Sequence, residues 1–225
     1  MKFFFDFLSQ MRIAILIKGI ARAYSSHFRQ GVNYKNCLDS FKDNIIKPLS
    51  ERGDEVDVFL TTYNIDGLND SELRKDYEAF MVEYVPYHGS TQKMTLYRGL
   101  EVIKECKKEY DCILITRFDI KYKMDILKWR VDWGAVNFTW KETEKLWMRE
   151  RRVGDVVTIF PWQYLDIYMN TVMNYSRVEN IHTIHNGLIE TFENHNIKDY
   201  NICFMFDGYY ISGNENPLYE IMRGD

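Results

Sequence analysis

"RIAILIKG", residues 12–19, places five consecutive aliphatic side chains, Ile13 to Ile17, between Arg12 and Lys18-Gly19. The run does not alternate polar with apolar, so neither face of the segment is meant for water. It is short and has polar flanks. That combination predicts a strand covered on both sides, as in a parallel sheet sandwiched by helices.

The neighbouring segments extend this pattern. Tyr34, Cys37, Leu38, Phe41, Ile45 and Leu49 recur at helical spacing, with Gly53 closing the helix and Pro48 expected to kink or shorten its last turn. "EVDVFLTTYN" (55–64) is a second strand, 71–80 a short helix and "VEYVPY" (82–87) a third strand. Ser90 or Thr91 caps a further helix, with Leu96, Leu100 and Ile103 on one face and lysines toward its C-terminal end. "DCILIT" (111–116) follows as a fourth strand. Strand and helix therefore alternate through the first 120 residues, the signature of an α/β fold with a mostly parallel central sheet flanked by helices. Ligands of such sheets bind outside the carboxyl ends of the strands. Here those ends carry Lys18-Gly19, Thr61-Thr62-Tyr63 and Thr116-Arg117-Phe118-Asp119.

The second half is less regular. "WGAVNFTW" (133–140), "DVVTIF" (155–160) and "ICFMF" (202–206) read as strands. Residues 161–175, with Pro161 near the first turn, and 182–196 read as helices. The polar segment 141–154 reads as a mobile loop, and 207–221 as a turn-rich tail. No repeat, linker or low-complexity segment divides the chain, so one domain from residue 11 to 225 is expected, preceded by a ten-residue extension. That extension, residues 1–10, is apolar but interrupted by Asp6. It reads as an alternative start, a tail or a membrane-surface anchor rather than a span or a signal peptide.

Composition narrows the function classes. The 225 residues are 46% hydrophobic and 28% charged, enough for a sizeable core. A net charge of −4, with basic and acidic residues interleaved, excludes the footprint of a nucleic-acid binder. Cys37, Cys106, Cys112 and Cys203 form no C-x-x-C pair, which argues against zinc and for a reducing, cytoplasmic compartment. Aromatic content is high, 16%, and serves either a ring-stacking pocket or a large core. The glycine-rich phosphate motifs of P-loop and dinucleotide-binding proteins are absent, as is the G-x-S-x-G of serine hydrolases. What remains is Arg117-x-Asp119 at a strand's carboxyl end. A carboxylate there can bind a divalent cation, or the two residues can form an ordinary ion pair.

From Met11 onward the chain resembles the small GT-A-type (Rossmann-like) glycosyltransferases of large algal DNA viruses, which build capsid glycans. The resemblance rests on the order and spacing of "ILIKGIARAY" (15–24), "VDVFLTTYN" (56–64), "STQKMTLYRGLEVIKECKKEYDCILITRFDI" (90–120), "GDVVTIFPWQYLD" (154–166) and "NENPLY" (214–219). It implies transfer of a sugar from a nucleoside-diphosphate donor, UDP-linked, to a hydroxyl of a glycan or glycoprotein acceptor, in the host cytoplasm if the protein is viral. It places "RFD" at the family's Asp-x-Asp metal motif, with Arg117 standing at the first acidic position. The expectation is that Asp119 alone contacts Mn²⁺ or Mg²⁺ while Arg117 offsets diphosphate charge.

The same resemblance places Lys18, Gly19 and Arg22 in the donor loop, the alternative for Lys18 and Arg22 being solvent-facing charge. Thr61 and Tyr63 end the second strand, where Tyr63 either stacks on the base or belongs to the core. Gln92 and Arg98 lie on the helix before the key strand, with Arg98 either reaching the donor or lying on the helix surface. Asp155 is either the base for the acceptor proton, with Asp207 and Glu144 as rivals, or a turn Asp before a strand. His185 is a candidate distal metal ligand or a satisfied helix histidine. The segment 141–154 is expected to order over the bound donor. A nucleotidyltransferase and a non-catalytic nucleotide- or sugar-binding module are the alternatives.

Overall fold

The aliphatic run at 12–19 forms β1 (Arg12–Gly19). Ile13, Ile15 and Ile17 enter one core and Ala14 and Leu16 the other. The computed structural model describes residues 10–23, 31–88, 91–141, 143–154, 156–174, 188–197, 200–202 and 217–222. After β1 come the short pair β2 (Arg22–Ala23) and β3 (Val32–Asn33), then α1 (Lys35–Phe41) and α2 (Lys47–Arg52). They are followed by β4 (Glu55–Asn64), α3 (Asp70–Tyr77), β5 (Met81–Pro86), α4 (Gln92–Glu105), β6 (Cys112–Arg117) and β7 (Ile120–Tyr122). The second half supplies β8 (Val136–Phe138), α5 (Glu144–Glu150), β9 (Thr158–Pro161), α6 (Leu165–Asn174), α7 (Leu188–Asn194), β10 (Tyr200–Ile202) and β11 (Tyr219–Ile221).

Among the described residues, seven strands form the central sheet in the order β10-β8-β9-β6-β1-β4-β5. The β4, β5 and β6 pairings are parallel, and β9 runs antiparallel between β6 and β8. The fold is therefore the expected α/β arrangement with a mostly parallel sheet. Phe41, Ile45 and Leu49, from the helical stretch before β4, cover one face; Leu96, Leu100 and Ile103 of α4 cover the other, joined by α6 and α7. Chain order runs outward from β1 to β4 and β5, then restarts on β1's other side with β6. The gap between the ends of β1 and β6 is thus a topological switch point, where an open α/β sheet leaves a crevice.

Three local features depart from the sequence expectations. Pro48 does not shorten the last turn of the helix that Gly53 closes. A π-turn, Lys42–Ile46, precedes it, and Lys47 N–H reaches back five residues to Lys42 O. Pro48 then stands in the first turn of α2, where its missing N–H costs little. Gly53, at φ 98°, closes the helix. The segment 141–154 is not a simple loop. It carries α5 and is tied at its base by a Lys141–Val153 bridge and by Gly154 N–H donating to Trp140 O at 3.0 Å. Lys141 and Arg151 both lie over the Trp147 ring, at 5.0 and 5.2 Å. Finally, the tail expected to be turn-rich contains β11, which pairs antiparallel with β7.

Burial also shapes the thiols. Cys37 and Cys112 are 2% and 1% exposed, and desolvation pushes both thiols up to about 12. Folded and unfolded thiols are equally protonated below the ordinary thiol pKa of about 8.5. Above it the unfolded chain ionises first, so stability is expected to fall as pH rises from there toward 12. Denaturant titrations across that range check this, and a flat profile would refute it. Alkylation of Cys37 and Cys112 in the native state should likewise lag behind that of half-buried Cys106.

Among the described residues, no helix is long and apolar enough to cross a membrane. Residues 1–9 of the expected extension lie outside the described residues.

Candidate functional site

The site is built at the carboxyl ends of β4, β1 and β6. Thr61, Lys18 and Arg117 are register partners across these three parallel strands. Alternation puts all three on the α4 side of the sheet, beyond Phe59, Leu16 and Ile115. Glu83 of β5 extends the row by one more strand. The result is one transverse line of Glu83, Thr61, Lys18 and Arg117, with adjacent strands roughly 4.8 Å apart.

Lys18 is only 2% exposed. A lysine so buried at the ligand side of a sheet is an expensive group to keep, which marks it as a functional candidate. Gly19 follows at φ 109°, a backbone geometry that disfavours side-chain-bearing residues, and open space surrounds the position a Cβ would take. The turn after it is pinned to the sheet, because Ala21 N–H donates to the Thr62 hydroxyl at 3.1 Å. Arg22 lies just beyond, with Nη1 donating to Gly67 O at 3.0 Å.

Arg117 and Asp119 form a two-point ion pair. Nε donates to Oδ1 at 2.9 Å and Nη2 to Oδ2 at 2.5 Å, and both side chains are 10% exposed. The intervening Phe118 turns to the opposite core and meets Tyr77 edge-on at 5.8 Å. The tail secures the same turn from outside. Met222 N–H donates to Asp119 O at 2.8 Å, and Tyr219 of β11 stacks on Trp140 at 6.0 Å. Trp140 leaves no room for a side chain at residue 154, since a Cβ there would lie 2.5 Å from the ring. The RFD turn, the tail and the base of the 141–153 excursion are thus packed as one buried unit.

The remaining candidates are placed as follows. Thr61 is buried beneath α4, whose Gly99 permits the approach; a Cβ there would lie 2.7 Å from the Thr61 hydroxyl and 2.4 Å from Leu16. Tyr63 is 6% exposed and meets Tyr87 edge-on at 6.1 Å; burial pushes its hydroxyl up to about 12. Gln92 opens α4, and its carbonyl accepts from the Thr95 hydroxyl at 2.8 Å. The Arg98 guanidinium is held by Glu83 at 3.0 Å and Glu101 at 2.8 Å. Glu144 is exposed on α5. Asp155, Asp207 and His185 lie outside the described residues.

Two features escaped the sequence reading. Tyr87 and exposed His88, 5.2 Å apart, extend from Tyr63 as an aromatic strip at the ends of β4 and β5. Gly99 fixes how closely α4 approaches the sheet, and a glycine inside an otherwise regular helix was the available signal.

The described residues do not compose a divalent-cation shell. Arg117 engages both oxygens of Asp119, and no group of three His, Cys, Asp or Glu side chains converges among the described residues. The strand ends bring Lys18 and Arg117 side by side at the switch point, next to the positive-φ Gly19 and the Asp119 carboxylate. No protein-family model and no curated protein sequence matches the chain.

Proposed function

We propose that the protein is a glycosyltransferase that moves a sugar from a nucleoside-diphosphate donor to an acceptor hydroxyl. The observation that carries this reading is the pairing of buried Lys18 with Arg117 across β1 and β6. Two fixed cations at the ligand end of an acidic protein's sheet suit a doubly charged leaving group. The Tyr63–Tyr87–His88 strip supplies rings for a nucleoside, at the ends of β4 and β5 on the side of β1 away from β6.

In the reaction, the acceptor oxygen bonds to the anomeric carbon as the bond from that carbon to the diphosphate oxygen breaks. The bonding pair leaves with the diphosphate, where Lys18 and Arg117 stabilise it. The acceptor's proton passes to a carboxylate, for which Asp155 is the sequence's candidate. A glycan or glycoprotein hydroxyl is the proposed acceptor.

The test is product analysis with a panel of nucleotide sugars and oligosaccharide acceptors. Acceptor-dependent release of a nucleoside diphosphate, with the sugar recovered on the acceptor, is the expected result. Release of pyrophosphate would instead identify a nucleotidyltransferase, and binding without turnover a non-catalytic module.

A further inference from the structure

We propose that Tyr122 is a positioning residue for the Arg117-Phe118-Asp119 turn, holding it closed through Thr116 while Ser40 and Asn44 hold Tyr122 itself. Its part in sugar transfer rests on the nucleotide-sugar reading; its hold on the turn does not.

The chain leaves β6 at Arg117 and returns as β7 at Ile120. Thr116 and Tyr122 bracket this reversal, and their hydroxyls are hydrogen-bonded to each other. The two residues are 0% and 3% exposed, so the bond lies away from bulk water, where it is strongest. One side-chain contact thus closes the turn formed by residues 117–121. Tying the ends of so short a segment together restricts the positions its side chains can take.

Tyr122 is itself held on every polar group. In the β7–β11 ladder, Lys123 N–H donates to Leu218 O at 2.9 Å and Met222 N–H to Asp119 O at 2.8 Å. The hydrogen-bonded pairs therefore fall on residues 119 and 123. Tyr122 faces Tyr219 as a non-hydrogen-bonded pair, so its backbone groups point away from β11. Two side chains from the helical stretch before β4 meet them there. Tyr122 N–H donates to Ser40 Oγ at 3.0 Å, and Asn44 Nδ2 donates to Tyr122 O at 3.2 Å.

Those two side chains are braced in turn. Ser40 Oγ donates to Cys37 O at 2.7 Å, and Asn44 Nδ2 also donates to Ser40 O at 3.1 Å. Both are half-buried polar residues beside the apolar stripe of Phe41, Ile45 and Leu49. Asn44 sits within the π-turn, Lys42–Ile46, and such wide turns recur where a helix serves a site. The Tyr122 ring packs with Phe41 at 6.4 Å and Trp129 at 5.8 Å. Tyr122 thus acts on Arg117 and Asp119 through the backbone of the turn. A charged group stabilises a transition state only where it is held in place, and a displacement of about 1 Å can cost about 100-fold in rate.

The deciding experiment is hydrogen exchange along the full chain, read by mass spectrometry, in the wild type, Y122F, T116V and T116V/Y122F. Each single variant removes one hydroxyl and leaves the other buried without its partner, so its unfolding midpoint should fall. The double variant removes both and should regain most of that loss. Exchange over residues 117–122 should nevertheless run at least about tenfold faster in the double variant than in the wild type, with β1 and β4 unchanged. With a panel of UDP- and GDP-linked sugars, its kcat should fall about tenfold while the donor KM changes less than about threefold. N44A, which frees the Tyr122 carbonyl, should speed exchange over 117–122 in the same way and serves if the double variant does not fold.

Unchanged exchange over 117–122 in the folded double variant would overturn the inference, since the turn would hold without the bond. A uniform rise across the sheet would also overturn it, marking Tyr122 as a general core residue. Wild-type kcat in the double variant would remove the positioning role. If the wild type turns over none of the sugars, the proposed transfer falls, and the exchange comparison still decides the hold of Tyr122 on the turn.

Discussion

Replacing Arg117 with alanine is expected to lower sugar transfer by about 100-fold and folding stability by about 3 kcal/mol. The two losses have different causes. On the proposed function, the kinetic loss comes from removing a fixed donor assigned to the leaving diphosphate. The stability loss comes from Asp119, which keeps its charge and its burial but loses a two-point partner at 2.9 and 2.5 Å.

The double variant R117A/D119A separates them. With both charges gone there is no stranded carboxylate, so most of the stability returns. Transfer does not return, because the guanidinium is still missing. Denaturant unfolding and steady-state kinetics on R117A, D119A and R117A/D119A complete the cycle. Equal instability of the single and double variants would show that the pair does not carry the cost. Recovery of transfer in the double variant would show that Arg117 does not act on the leaving group.

How much of this was legible from sequence depended on how local each signal was. β1 and β4 match their sequence readings, 12–19 and 55–64, to the residue, and for β1 a continuous aliphatic run between polar flanks has few other solutions. β7 and β11 were missed. Each is three residues long, and Tyr122 pairs with Tyr219 far along the chain, so neither segment shows its strand character alone. α5 was read as a loop because its anchors are Trp147 contacts with flanking cations rather than a long apolar stripe.

The candidate site divides the same way. That charge gathers at strand ends was visible, and the alternation of strand and helix said which ends matter. That Lys18 and Arg117 are neighbours needs the strand order, which places β6 beside β1 rather than beside β5. The Arg117–Asp119 ion pair was one of the two readings that the sequence left open, and residues two apart at a strand end share a face. The resemblance to a metal motif drew the reading toward an ion instead. Arg98 shows the reverse case. It sits one helix away from the site, but Glu83 and Glu101 hold it, and nothing in the local sequence of α4 singles out Glu83 as a partner.

Lys18 yields the second large effect, with the opposite sign in stability. K18M keeps the length and flexibility of the side chain while removing its charge. Residue 18 is 2% exposed and follows Ile17 and Leu16 into the sheet, so a methionine suits the space. Taking an ammonium out of water is costly, and an apolar side chain of similar volume avoids that cost. K18M is therefore expected to raise the unfolding midpoint or leave it unchanged. On the proposed function, sugar transfer should nevertheless fall by about 100-fold, since one of the two cations assigned to the leaving diphosphate would be gone.

A purely structural lysine would give the converse, lost stability with activity falling only as the folded fraction falls. The two accounts thus differ in sign on one measurement and in magnitude on the other. Thermal or denaturant unfolding of K18M, paired with kinetics at saturating donor, decides between them. A variant that is both less stable and fully active per folded molecule would remove Lys18 from the site. A lysine kept at a cost in stability is what a site selected for binding an anion should show, since the group most expensive to bury is the one the ligand needs.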